Sequence, residues 1–383
     1  MARRSRYRIA IVVSTGLVLS SLAWYFSKQT LKVLSQQNLV LDLEDSDLDT
    51  FNDLGYDPCD ARFEFAPPSR LQSLFELFFD SRGTRTIVYA RAVSSKQIKK
   101  LGKLPIAQMR ELHMENMVPA DLDTLLQFQQ LQTLEIRDCR QLKWEDMARL
   151  SQLKSLRELS VGKHSDYYRP SQGFVSQPIL DESIGGINAC KNLRSISLDN
   201  VRTSAIRSLK LAELQFLEKL DIIQLHVDTD DSLIRDSVPK NLTSLSLWNS
   251  GLLSSKHLVF LSQLSRLKEL RIICCPNIDD SLFDNLPNGE LRRLDISADG
   301  GTVPIEITER GIVKLSKYHD CLEWLNLYGT RVRQIPISFV GEFKCLHSIA
   351  LGMHVTNSRE LSTAFPGIKI HALNDSHIFQ SKD

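Results

Sequence analysis

From residue 109 to residue 351 one pattern of apolar and polar positions recurs. An apolar residue is followed by two of any kind, then by two apolar residues with one position between them, polar in all units but the last. It reads Met109-x-x-Leu112-x-Met114, Leu131-x-x-Leu134-x-Ile136 and Leu156-x-x-Leu159-x-Val161. It continues through Leu193/Ile196/Leu198, Leu217/Leu220/Ile222, Leu242/Leu245/Leu247 and Leu267/Leu270/Ile272. Leu291/Leu294/Ile296, Leu322/Leu325/Leu327 and Leu346/Ile349/Leu351 complete the series. Successive starts lie 22, 25, 37, 24, 25, 25, 24, 31 and 24 residues apart, so two units carry insertions, at 164–192 and 298–310. Apolar fourth and sixth positions with one residue between them have the period of a strand that buries one face. The second half of a unit, such as Asp146 to Leu150 and Leu153, has helical spacing. Strand and helix alternate, which predicts an α/β chain with a parallel sheet. A single unit buries too little apolar surface to stand alone, so neighbouring units must complete its core.

Ten such copies resemble the leucine-rich repeat family, whose units read L-x-x-L-x-L with Asn, Cys or Thr three residues on. The resemblance covers roughly residues 84–373. Cys139 and Cys275 stand at that last position as in the cysteine-containing subtype, and Thr330 stands there as in the bacterial one. Met117, Val201, Leu225 and His354 depart from it, which leaves no regular polar ladder expected in those units. The ending Phe365-Pro-Gly-Ile-Lys-Ile370 resembles the closing strand of bacterial arrays. The resemblance implies a solenoid with a curved parallel sheet on the concave face and helices on the convex one. It also implies that the third, fifth and seventh positions of each unit face the concavity, where such proteins hold their ligands.

Ahead of the array the pattern changes. Residues 1–8 form a basic tail with Arg3, Arg4, Arg6 and Arg8, and residues 9–26 carry no charge. Eighteen helical residues rise about 27 Å, close to the thickness of a hydrocarbon core. Two readings stand: an uncleaved transmembrane anchor, supported by Trp24 and Tyr25 at an interface, or a signal peptide cleaved near Ala23. Both keep the arginines in the cytoplasm and send the repeats out, to the periplasm or cell exterior. Residues 27–66 read as an acidic linker. Asp45-x-Asp47-x-Asp49 imitates the start of a calcium loop, but Thr50 replaces the required glycine and Tyr56 the closing glutamate. Residues 67–108 are expected to cap the array, with a helix carrying Leu71, Leu74, Phe75, Phe78 and Phe79 on one face and a strand over 86–90. Residues 109–373 hold the repeats, and 374–383 a tail.

The concave positions change character along the array. Early units bring Glu111, His113, Glu115, Glu135, Arg137 and Glu158 to that face. Later ones bring Ile223, Trp248, Ile273, Trp324 and Tyr328, rimmed by Lys219, Asp221, Arg271, Arg293 and Asp295. Aromatics inside a polar rim have the composition of a protein-binding hot spot. The candidate partner-binding residues are therefore Ile223, Trp248, Ile273, Trp324, Tyr328, Arg271, Arg293 and Asp295. The competing reading is that the two insertions fold over this patch and cover it.

Composition narrows the function. A net charge of +1 lacks the basic footprint of a dedicated nucleic-acid binder. Seven cysteines cannot all pair within one chain. Cys190, Cys321 and Cys345 precede repeat starts, where a small buried apolar side chain fits. No phosphate-binding loop, H-E-x-x-H, G-x-S-x-G or C-x-x-C occurs. Asp228, Asp230, Asp231, Asp279 and Asp280 are expected to cap the helices that follow them. Asn241-Leu-Thr243 and Asn374-Asp-Ser376 match a glycan acceptor. The expectation is a non-catalytic, membrane-tethered, extracytoplasmic protein that binds a protein partner, with no cofactor, metal or small-molecule substrate. Two rivals remain: a cytoplasmic adaptor that selects substrates, and a surface hydrolase using the acidic cluster around His113.

Overall fold

The computed structural model describes residues 31–33, 39–41, 89–93, 98, 109–114, 117–137, 139–162, 182–228, 232–234, 238–298, 303–352 and 354–373. Strands β1 (Leu31–Val33) and β2 (Leu39–Leu41) form an antiparallel pair. It lies within the stretch expected to be a plain linker. Three strands follow in the array's first coils: β3 (Tyr89–Val93), β4 (Glu111–Met114) and β5 (Thr133–Ile136). Next come β6 (Glu158–Val161), β7 (Ser195–Asp199), β8 (Lys219–Ile223) and β9 (Ser244–Trp248). The last are β10 (Glu269–Ile273), β11 (Arg293–Ser297), β12 (Trp324–Leu327), β13 (Ser348–Gly352) and β14 (Lys369–Leu373). β3 to β14 make one 12-stranded sheet in strict sequence order, every pair parallel. This is an α/β solenoid with one strand per coil, as the periodicity predicts.

Register keeps equivalent positions side by side. Leu245 lies beside Leu220 and Leu270, and Leu247 beside Ile222 and Ile272. All six are buried, and they belong to one core that runs the length of the array. Each strand is entered the same way. The carbonyl at the second position of one coil accepts two successive N–H groups from the next: Gln132 and Thr133 donate to Arg110, Thr243 and Ser244 to Glu218, Glu323 and Trp324 to Arg292. β7, β8, β9, β10 and β12 are left by a left-handed residue at the eighth position, with Asn200, Gln224, Asn249, Cys274 and Gly329 at φ of 57°, 51°, 50°, 55° and 70°. That turn carries the N–H of Asn249 onto the carbonyl of Ile273 and that of Cys274 onto Ser297, so the ladder outlasts the strand.

The ninth position then points back inward. Where it is polar it ties the turn. Ser250 Oγ donates to the Trp248 carbonyl and accepts from Leu225 N, and Thr330 Oγ1 donates to the Leu327 carbonyl. Where it departs from that pattern, Met117, Val201 and Leu225 are buried apolar fillers, and His354 is exposed.

The return halves are short. α1 (Leu122–Leu125), α2 (Trp144–Arg149), α3 (Thr203–Ser208), α4 (Leu282–Asn285), α5 (Glu309–Ile312), α6 (Ile337–Gly341) and α7 (Ser358–Ala364) alternate with 3-10 turns such as Ser255–Gln263. Caps cross between coils. Asp228 accepts from Ser204 N and both hydroxyls of Thr203 and Ser204, so it caps α3 of the coil before it, not a helix after it. Asp280 likewise accepts from Thr308 N at 2.8 Å, in the next coil, while Asp279 accepts from Ser281 N ahead of α4. Asp230 and Asp231 lie outside the described residues.

The described parts of both insertions belong to the coil wall. Glu182–Ala189 forms a 3-10 helix against α2 and α3, with Ile184 and Ile187 buried. Gly186 allows that approach, since a Cβ there would stand 2.2 Å from the Trp144 carbonyl oxygen. In the second insertion Ile305 and Ile307 are buried and bridge residues 305 and 330 pair. Residues 182–192 and 303–310 therefore do not cover the concave face, contrary to that competing expectation, because Ile184, Ile187, Ile305 and Ile307 are spent on the core. Residues 163–181 and 299–302 lie outside the described residues.

The strand expected over 86–90 is described at Tyr89–Val93. The span 9–26, the calcium-like Asp45–Asp49 run, the helix carrying Leu71 to Phe79, Glu115 and Asn374 lie outside the described residues. Among the described residues no helix is long and apolar enough to cross a membrane. Of the described cysteines, Cys139, Cys190 and Cys275 are buried. Burial pushes Cys190 and Cys275 up to about 12, which keeps them protonated. Cys321 is only half-buried and Cys345 exposed, against the expectation of two more buried fillers. Both stand at the outer end of a coil before its strand.

Candidate functional site on the concave face

Alternation decides what reaches the concave side. In β4 to β6 the third and fifth positions are partly exposed while the fourth and sixth are buried. From β8 to β12 the same face becomes tighter. The seventh positions Ile223, Trp248 and Ile273 are direct neighbours in register, and adjacent strands lie only about 4.8 Å apart. Large side chains at that spacing cover one another. Ile223 and Ile273 are left 8% and 9% exposed, Tyr328 3%, and only Trp248 and Trp324 remain half-buried. Ile223, Ile273 and Tyr328 were expected as solvent-facing contacts; lateral packing along the row makes them its buried support. The structure brings the eight candidates onto one face, with the two tryptophans as the accessible aromatics.

The charged rim is largely self-satisfied. Lys219 Nζ lies 3.1 Å from Asp221 Oδ2. Burial raises the Asp221 carboxyl, and the lysine works against that rise. Arg271 turns back along its own strand to Glu269, with Nη2 at 2.6 Å and Nε at 2.8 Å from Oε1. Arg293 lies over the Trp324 ring, 5.6 Å from its centroid. Trp248 Nε1 donates to Ser246 Oγ.

Asp295 is the exception. It was expected on the exposed rim but is 8% exposed, and its Oδ1 has no hydrogen-bond partner. Its register neighbours are Arg271 on one side, already turned to Glu269, and Asn326 on the other. Burial pushes the carboxyl up to about 6, and hydrogen bonds from Ser297 and Asn326 with the charge of Arg271 oppose that rise without cancelling it. Leaving a buried acceptor unmet costs about 1–3 kcal/mol, more for a charged one. A sequence pattern has no signal for this, because the fifth position of β11 looks like every other concave position.

At the other end of the sheet His113 stands between two carboxylates, Nε2 2.7 Å from Glu111 Oε1 and Nδ1 2.5 Å from Glu135 Oε2. Burial alone pulls the imidazole down, yet the two hydrogen-bonded carboxylates prevail and raise it to about 9. An imidazolium held at neutral pH is a clamp between β4 and β5, poorly suited to take a proton as a general base. Among the described residues no group of three or more His, Cys, Asp or Glu is placed to hold a metal. Asn241, the described glycan-acceptor asparagine, spends its amide on neighbouring coils, donating to the Gln215 carbonyl and accepting from Arg266.

No family model and no curated protein matches the chain. Among solved structures it is similar to a chain of the yeast Rad7 and Elc1 complex, with 12% identity over 96% of this chain and 94% of that one and a TM-score of 0.43. It is also similar to a chain of the Toll–Spatzle complex of Drosophila, with 15% identity over 75% and 39% of the two chains and a TM-score of 0.43. For the Leptospira interrogans LRR protein LIC12759 the identity is 15%, the coverage 81% and 88%, and the TM-score 0.38. At these scores the functional reading stands on the chain's own residues.

Proposed function

We propose that this chain is a non-catalytic repeat protein that binds a protein partner through the concave face of β8 to β12. The observation that carries the reading is the presence of two half-buried tryptophans on this face, Trp248 between Ile223 and Ile273 on the seventh-position row and Trp324 beside Arg293 on the third-position row, rimmed by charges that already pair with one another. Rigid aromatics with a satisfied polar rim supply contact area at low entropic cost. We further propose that the array is tethered outside the cytoplasm by residues 9–26. The arginine cluster ahead of that charge-free run supports this orientation.

Affinity capture with the full chain, followed by Trp248→Ala plus Trp324→Ala, tests the face. The double variant should lose at least about 2 kcal/mol of binding, roughly thirtyfold, for any captured protein that uses it. Unchanged affinity rejects the concave face. A reporter active only outside the cytoplasm, fused after residue 60, tests the topology; an inactive reporter defeats the tether and favours the cytoplasmic adaptor.

A further inference from the structure

We propose that Asp295 is the anchor for a lysine side chain of the protein partner, its unpaired carboxylate oxygen receiving the ammonium group. This deepens the reading of the concave face and rests on it. Every described cation of β8 to β11 on this face is committed elsewhere: Lys219 to Asp221, Arg271 to Glu269, and Arg293 over Trp324. Arg271 lies directly beside Asp295 in register and still turns away from it. The chain therefore holds a buried anion with a cation next door and leaves the two unjoined.

The unmet chemistry has a direction. Ser297 and Asn326 hydrogen-bond the carboxylate, while Oδ1 receives nothing. One free oxygen suits a compact ammonium, a point charge on a slender stem. It suits a guanidinium less, because the planar fork of arginine gains its advantage by bonding both oxygens at once. Trp324 stands on the next strand, diagonal to Asp295, with its ring half-buried. The methylene stem of a lysine packs on such a surface while its head reaches a buried acceptor. Oδ1 lies beneath the surface of the face. Access requires the long side chains alongside it to swing out, and both Arg271 and Arg293 already reach solvent.

The test uses the full chain, immobilised, and nonapeptide libraries randomised except at a central Lys, Arg, norleucine or Glu. The lysine library should be retained at least about tenfold over norleucine and above arginine, and Asp295→Asn should abolish that preference. Glu269→Gln frees Arg271 to turn to Asp295 and should also weaken it. Equal retention of lysine and norleucine, arginine retained as well as lysine, or a lysine preference that survives Asp295→Asn overturns the proposal. Trp324→Ala separates the two levels of the argument. Retention lost with Trp324→Ala but indifferent to Asp295→Asn leaves the concave-face reading standing and rejects the lysine. Retention indifferent to both rejects the two together.

Discussion

Replacing Asp295 by asparagine should make the folded chain more stable at neutral pH. The carboxyl is pushed up to about 6 from an ordinary 3.8, and each unit of such a shift is worth about 1.4 kcal/mol. Ionising Asp295 in the folded chain therefore costs up to about 3 kcal/mol relative to ionising it unfolded. The sign follows from which state holds the proton more tightly. Folded Asp295 does, so its favourable contribution is complete below 3.8 and is lost as pH rises through about 6. An amide of the same shape carries no charge at any pH. Asp295→Asn should thus gain about 1–3 kcal/mol at about pH 8 and nothing below about pH 4. Urea midpoints at a series of pH values measure this, provided the slope with denaturant is unchanged. Other titrating groups are common to both proteins and cancel in the difference. A destabilised variant at about pH 8, or a gain that persists in acid, would refute the buried-anion account. A residue that weakens the fold yet occupies the proposed binding face is the pattern expected where stability has been given up for function.

Two further outcomes follow from the geometry. Gly162→Ala should cost about 2–4 kcal/mol, because φ is +128° and a Cβ would stand 2.2 Å from the Asp199 carbonyl oxygen; an unchanged urea midpoint would mean that the β6–β7 junction is looser than described. His113→Gln tests the clamp between β4 and β5. The imidazole is raised to about 9 despite its burial, so its contribution is complete below the ordinary 6.5 and lost as pH rises through about 9. The stability gap between wild type and variant should shrink over that window, and a gap independent of pH would count against the clamp.

Much of the architecture is legible in the residues alone, for a simple reason. Alternation of apolar positions decides which side chains a strand buries, and a spacing near two dozen residues decides that strands such as β8, β9 and β10 lie side by side. Leu220, Leu245 and Leu270 are interior for both reasons, and the sheet order follows from the chain order. The concave row itself, Ile223, Trp248 and Ile273, can be assigned to its face by counting from the first leucine of each unit. The acidic surroundings of His113 can be assigned in the same way.

What counting cannot supply is how neighbours on that face settle their contacts. Ile223, Ile273 and Tyr328 count as concave positions yet end up buried, since lateral packing between coils removes their water. Asp228 caps a helix in the coil before it, and Asp280 ties into the coil after it, because stacking sets those distances. Asp295 shows the difference most clearly. Its place in the strand was written in the pattern of leucines, whereas its missing partner depends on Arg271 choosing Glu269, a choice between side chains that only assembled coils present to each other. Period and alternation are local properties, so the linear chain determines the coil and its interior. The balance of charge across the coil's surface depends on side chains drawn from different units, so only the tertiary structure decides it.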